Sequence, residues 1–332
     1  MTTDRRQTVA LTGASGFVGR QMVRTLLKDG YAVRALVRDA EKARAVLPPD
    51  AALTTIRGST DSAESLRELV LGSDACIHLV GIIRESGRDT FRSAHVESTR
   101  RVLDACRGTT TSAAVRRYVH MSALGVHPEG TPYQRTKFEA EQLVRRSGLD
   151  WTIFRPGYIH GPDGELTGMI RQWCSGAKQP FFFIPYFARD EKIFTDALLP
   201  TIRLSPAVVA PVSVRDVCRA FVESLRRPAT FAEIYNLVGP QNLSFKAMLE
   251  WWRDHLPHAE QSLSCVGVPA SAASIQARVA KLIGLGNLLP FDEGMPLMAA
   301  EDATADLTKL RADLGFEPEA FEPAAARYVS SL

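Results

Sequence analysis

The eight residues Thr12-Gly13-Ala14-Ser15-Gly16-Phe17-Val18-Gly19 constrain this chain more than any other stretch. An apolar strand over Thr8–Leu11 runs directly into them, and an amphipathic helix over Phe17–Asp29 leaves them. Gly13 permits a tight turn, Gly16 lets backbone approach a pyrophosphate, and Gly19 lets the helix pack close to the strand. The helix start supplies oriented N–H groups, and Ser15, Phe17 and Val18 complete the loop around the anion. A glycine pattern alone carries little weight, but its position between strand and helix gives it the context a dinucleotide site requires.

The spacing of apolar residues extends the pattern. Strands are predicted at Ala32–Val37, Leu53–Ile56, Ala75–Val80, Arg117–Met121 and Trp151–Arg155. Helices are predicted between them at Ala40–Val46, Ala63–Leu71, Thr90–Cys106 and Tyr133–Ser147. Strands alternating with helices imply α/β architecture, a Rossmann-type doubly wound parallel sheet over residues 1–160. Further strands are expected from about 208–214 and 234–237, and helices near Asp216–Arg226 and Ser244–Leu256. The remaining segments of 161–332, richer in Pro and Gly, form a smaller, irregular substrate or cap domain.

Composition narrows the function classes. Forty basic against thirty-seven acidic residues give a net charge of +3, interspersed rather than clustered, which argues against nucleic acid as a partner. The five cysteines form no CxxC pair and suit a reducing cytoplasm. The first residues, MTTDRRQTVALTG, lack the apolar stretch of a secretory signal, and no apolar run approaches the ~18 residues of a spanning helix. The expected location is cytoplasmic, with peripheral association at the inner membrane as an open alternative.

About 20 residues past the glycine loop, an acid would bind an NAD ribose and an arginine the 2′-phosphate of NADP. The chain has Arg38-Asp39 there. Arg38 favours NADP(H), through a charge-assisted bidentate contact, while Asp39 keeps NAD(H) open. Ser59 and Thr60, after the third strand, are placed to reach the adenine, and Val80 and Gly81, after the fourth, to border the adenosine ribose.

Tyr133 and Lys137 stand four apart at a helix start and so project from one face. An ammonium beside a phenol favours the phenolate and brings its proton transfer toward neutral pH. The pair follows the strand ending Val119-His120-Met121-Ser122-Ala123-Leu124-Gly125. In the order TGASGFVG, ALVRD, HLVG, MSALG, Tyr133-x-x-x-Lys137, Arg155-Pro156-Gly157 and PVSVRDV, the chain resembles the short-chain dehydrogenase/reductase superfamily. The stretches YVHMSALG, YQRTKFEAE and FRPGYIHGP are similar to an atypical branch that includes the alpha subcomplex subunit nine of respiratory complex I and its bacterial relatives.

The resemblance implies Ser122, Tyr133 and Lys137 as the catalytic set, with Tyr133, Lys137, Pro156 and Tyr158 contacting the cofactor. Extended members often carry two small hydroxyl residues here, the second being catalytic. This chain has Ser122-Ala123, so with Ala123 in the catalytic place the triad is incomplete. Three functions follow: an NADP(H)-dependent oxidoreductase on an organic, hydrophobic or quinone-like substrate; a non-catalytic nucleotide-binding or assembly protein associated with a respiratory complex; and a nucleotide-sugar epimerase or dehydratase.

His120 and His160 lie near the expected cleft, either as proton-transfer groups or as hydrogen-bonded packing residues. No His, Cys or carboxylate cluster has metal spacing, and Ser122 lies in no GxSxG elbow, so neither a metal site nor a hydrolase is expected. The aromatic run Phe181–Phe187, flanked by Lys178, Arg189 and Lys192, suits a hydrophobic pocket, a membrane or partner contact, or core packing.

Overall fold

The computed structural model describes residues 6–108, 115–193, 201–284, 289 and 291–332. The chain opens with β1 (Thr8–Thr12), α1 (Phe17–Lys28), β2 (Ala32–Val37), α2 (Ala40–Val46), β3 (Leu53–Arg57), α3 (Ala63–Val70) and β4 (Ala75–His78). A π-helical turn, Arg92–Glu97, then runs into α4 (Ser98–Arg107). β5 (Arg117–Met121), α5 (Pro132–Arg145) and β6 (Asp150–Pro156) complete the alternation.

The chain continues through β7 (Ile159–His160), α6 (Glu165–Cys174), β8 (Phe183–Ile193), β9 (Thr201–Pro206), β10 (Val208–Val209) and β11 (Val212–Ser213). It ends with α7 (Val214–Leu225), β12 (Glu233–Leu237), β13 (Leu243–Ser244), α8 (Phe245–His255), β14 (Ser264–Pro269), α9 (Ala270–Leu282), α10 (Met295–Ala299), α11 (Thr308–Leu314) and α12 (Phe321–Ala326). No helix among the described residues is long and apolar enough to cross a membrane.

The first unit holds the residues up to Pro156 together with Val214–Leu237 and Asp306–Glu317. Among its described residues is a seven-stranded sheet in the order β12-β6-β5-β4-β1-β2-β3, parallel throughout. β1, β4 and β5 are buried almost end to end, as strands covered on both faces must be. One face buries Leu66, Leu69, Val102, Leu103 and Val144 from α3, α4 and α5. On α1 and α7, which pack together, Met22, Leu26, Val217 and Phe221 are buried. Each such side chain contributes about 1.5–3 kcal/mol of burial.

The strand expected near 234–237 joins this sheet beside β6. The one expected over 208–214 does not. β10 pairs antiparallel with β13 and β11 parallel with β7, all in the second unit, and Val214 already starts α7. Two-residue strands carry too little alternation to reveal which sheet they join.

The second unit comprises Gly157–Ser213, Val238–Ala305 and Pro318–Leu332. Its largest sheet is β14-β8-β9, parallel between β14 and β8 and antiparallel between β8 and β9. Its core gathers Ile184, Met248, Trp252, Cys265 and Phe321.

Candidate active site

In the first unit, the carboxyl ends of β1 and β4 meet where the strand order reverses, the place where open α/β sheets bind ligands. Gly13 turns there with φ +76°, and a Cβ on it would stand 3.2 Å from Leu79. At Gly19 a Cβ would lie 2.0 Å from the Gly13 carbonyl oxygen, so only glycine lets α1 close on the loop. Gly16 begins α1 without a side-chain cap, and the first turn carries no acid, which leaves the positive end of the helix for an anion. Ser15 and Gly16 are exposed and Phe17 is half-buried, whereas Val18 and Gly19 are buried, so Val18 can offer an anion only its backbone.

Arg38 follows β2 with its side chain 80% exposed, in a loose pair with Asp89 at 3.6 Å. Asp39 beside it is engaged elsewhere. It caps α2, its Oδ1 accepting the Glu41 and Lys42 N–H groups at 3.0 and 3.1 Å. Ser59 closes its own turn, its hydroxyl accepting the Asp61 N–H at 3.1 Å, and Thr60 is half-buried next to it.

β4 ends at His78, two residues earlier than expected, and Val80-Gly81 continues along the sheet edge. Gly81 meets the tyrosine–lysine pair: a Cβ there would lie 2.9 Å from Lys137 Nζ. Lys137 is buried on α5, and its ammonium donates to the Met121 carbonyl oxygen at 3.1 Å. The helix start is pinned by a capping box. The Thr131 hydroxyl accepts the Gln134 N–H, the Gln134 carboxamide oxygen accepts the Thr131 N–H at 2.8 Å, and its Nε2 donates to the Gly125 carbonyl at 3.0 Å. Pro132 at the first helical position starts the helix one residue before the expected Tyr133.

Burial pushes the Lys137 ammonium down to about 8, against the opposing pull of Glu141. Burial pushes the Tyr133 phenol up to about 12. Desolvation of the phenolate is the cause of the Tyr133 shift. Glu141, wholly buried one turn after Lys137, is held by Arg155 through two bonds of 2.8 and 2.6 Å.

Sequence reasoning missed His95. It lies in the π-helical turn, its ring edge-on to Tyr133 at 5.3 Å. Its Nε2 is 3.0 Å from the Ile82 carbonyl oxygen and its Nδ1 is 2.9 Å from the Thr136 hydroxyl. Phe91 also meets the Tyr133 ring edge-on, at 5.7 Å. A lone histidine in a helical stretch has no spacing signal, and its partners are 13 and 41 residues away.

Ser122 directly follows Met121, whose carbonyl oxygen accepts from the Lys137 ammonium. It is buried, its N–H donates to Phe154 at 2.7 Å, and its hydroxyl has no hydrogen-bond partner. Half-buried Ala123 comes next, and Leu124 donates to the Pro156 carbonyl at 2.9 Å. His120 stacks against both His78 and Tyr118 with neither ring nitrogen bonded, a packing position.

In the second unit, Tyr158 packs edge-on against Phe245 at 5.3 Å. His160 bonds the Tyr328 hydroxyl at 2.9 Å. The aromatic run divides there: Ile184 is core, while Phe182 is 86% exposed. Lys178 is half-buried, Arg189 pairs with Asp302, and the Lys192 side chain lies outside the described residues.

The glycine cradle, the acid-free start of α1, exposed Arg38 and the buried ammonium beside Gly81 fit a dinucleotide lying along the sheet edge. Residues 13–172 match the family model described as NAD(P)H-binding. The ceramide reductase of Caulobacter vibrioides is 32% identical over 176 residues, 52% of this chain and 52% of that protein. The chain thus spans about half the length of that curated relative. The mitochondrial NADH dehydrogenase [ubiquinone] 1 alpha subcomplex subunit 9 of Dictyostelium discoideum is 24% identical over 254 residues, covering 74% of this chain and 64% of the relative. Among solved structures, the enzyme WbmH of Bordetella bronchiseptica in complex with NAD+ superposes with a TM-score of 0.66 at 19% identity, covering 98% of this chain and 97% of the other, a likeness of fold.

Proposed function

We propose, proceeding from a chain whose residues 13–172 match an NAD(P)H-binding family model, that this protein is an NADP(H)-dependent oxidoreductase acting on the carbonyl of an apolar substrate. The observation that carries the reading is the buried Lys137 ammonium, fixed at the sheet edge between Met121 and Gly81 and four residues from Tyr133. A buried cation held there is a ready partner for a phenolate and for ribose hydroxyls.

When bound, the nicotinamide supplies the hydride. Tyr133 gives its phenolic proton to the substrate oxygen as the carbonyl carbon is reduced, so the tyrosine O–H breaks and an alcohol O–H forms. Lys137 faces the resulting phenolate and lowers its energy. Ser122, whose buried hydroxyl has no partner in the protein, is free to orient the substrate oxygen. Exposed Arg38 supports the 2′-phosphate, and the engagement of Asp39 as a helix cap removes the acid that would favour NAD(H). The apolar substrate class is supported by the ceramide named in one relative.

The test is NADPH consumption by the full chain over a panel of long-chain and isoprenoid ketones. Turnover that Tyr133→Phe lowers by at least ~10²-fold, with cofactor affinity retained, is the expected result. A second reading, a protein that holds its nucleotide without turnover, is favoured by Ala123. One nucleotide retained per chain and no turnover over the panel would establish that reading instead.

A further inference from the structure

Helix α9 is inside out for a helix at a water surface. Its buried residues are Ala270, Ala273 and Ala277, on a helix that packs against α10, β8 and β14. Its large apolar residues face away from them. Ile275 is 63% exposed, Val279 50% and Leu282 80%, and Ile283 just beyond is 64% exposed. Ile275 and Val279 each follow a buried alanine by two residues, which at ~100° per residue places them about 200° round the helix. Single exposed aliphatics are ordinary, but a contiguous face repeating at four and three residues, opposite an alanine face, is a surface made for an apolar neighbour.

Charge identifies the neighbour. From Ala270 to Gly284 the ionisable side chains are Arg278 and Lys281, with no aspartate or glutamate. Both cations are exposed and neither forms an ion pair among the described residues. A helix built to pair with another helix carries both signs beside its apolar seam. Pairing with a second copy would set these like charges along one seam. An apolar stripe whose own helix carries only cations, the Asp190 carboxylate at its first turn being taken up by the Ser271 N–H and hydroxyl, fits the interface of an anionic bilayer, where the stripe enters the acyl boundary and the cations meet phosphates.

We propose that the Ile275–Val279–Leu282 face of α9 docks the protein on an anionic phospholipid surface, with Arg278 and Lys281 at the headgroups. The surface belongs to the second unit, so this proposal does not rest on the oxidoreductase reading.

The full chain is sedimented with vesicles of phosphatidylcholine alone and of phosphatidylcholine with phosphatidylglycerol. Binding to the anionic vesicles is expected, and it should weaken between about 0.1 M and 1 M salt as the Debye length falls from ~10 to ~3 Å. The triple variant I275S/V279S/L282S and the double variant R278E/K281E should each lose at least ~10-fold in binding, with thermal midpoint and cofactor affinity unchanged because these side chains are exposed. No sedimentation with either vesicle would overturn the proposal. So would equal binding to neutral vesicles, or binding indifferent to both variants. A dimer in sedimentation velocity that the triple variant converts to monomer, without vesicle binding, would assign the face to a second copy instead.

Discussion

The Nδ1 atom of His95 stands 2.9 Å from the hydroxyl of Thr136, the residue just before Lys137, so the π-helical turn is tied to the dyad-bearing helix next to the buried ammonium. Its Nε2 meanwhile holds Ile82, next to Gly81. His95→Ala is expected to lower stability by about 1–3 kcal/mol, through the loss of two hydrogen bonds to half-buried partners and of a buried ring, and to weaken nucleotide binding by freeing the Gly81 stretch. Urea unfolding together with a cofactor titration measures both. Stability and affinity equal to those of the parent would show that the tie is incidental.

Acid should unfold the protein through its imidazoles. Burial, aided by Lys137, holds His78 down to about 3 and His95 to about 2, and burial with neighbouring His78 and Lys137 holds His120 well below its usual range. All three are neutral in the folded chain at neutral pH, while the unfolded chain takes up their protons below about 6.5. Unfolded protein then binds more protons, so stability is full above pH 6.5 and falls below it, by about 1.4 kcal/mol per pH unit for each imidazole. Denaturant titrations between pH 7 and 5 give the slope, and His120→Gln should reduce it by one imidazole's share.

Carbonyl reduction should be level through neutrality and decline above about pH 8, where Lys137 loses its proton. Tyr133, pushed up to about 12, stays a proton donor throughout that range. Lys137→Arg keeps a charge at high pH and should move the decline upward in whatever activity it retains. A profile unchanged in Lys137→Arg would remove the lysine from the step.

Arg38→Ala should weaken NADPH binding by at least ~10-fold while leaving NADH within a few-fold, since a guanidinium–phosphate contact is worth more than a typical neutral hydrogen bond. Equal losses for both nucleotides would place Arg38 on a group they share.

Two glycine variants should separate fold from site. In Gly19→Ala the added methyl meets backbone at 2.0 Å, so stability itself should fall by several kcal/mol. In Gly81→Ala the methyl meets the movable end of Lys137 at 2.9 Å, so folding should survive while turnover drops. Calorimetry beside a turnover assay distinguishes the two.

The first sheet was legible because each of its signals is local. Apolar runs of four to seven residues divided by amphipathic helices place β1 to β6 within a residue or two, and the glycine loop marks the end of β1. The role of Asp39 was not legible, since helix cap and ribose ligand use the same carboxylate at the same place in the sequence. The burial of Tyr133 was not legible, because spacing reports the neighbouring lysine but not the loss of water around the phenol. The outward face of α9 escaped notice because apolar periodicity states that a helix has two faces without stating which one is covered.

The π-helical turn at Arg92–Glu97 bonds i to i+5, so it holds about one residue more than an α-helical turn would. Deleting a single residue there would let the segment close into ordinary α-helix and rotate what precedes it by about 100° relative to α4, swinging His95 off Thr136 and Ile82. A one-codon length difference between otherwise alike chains is therefore enough to give or withhold this histidine at the site.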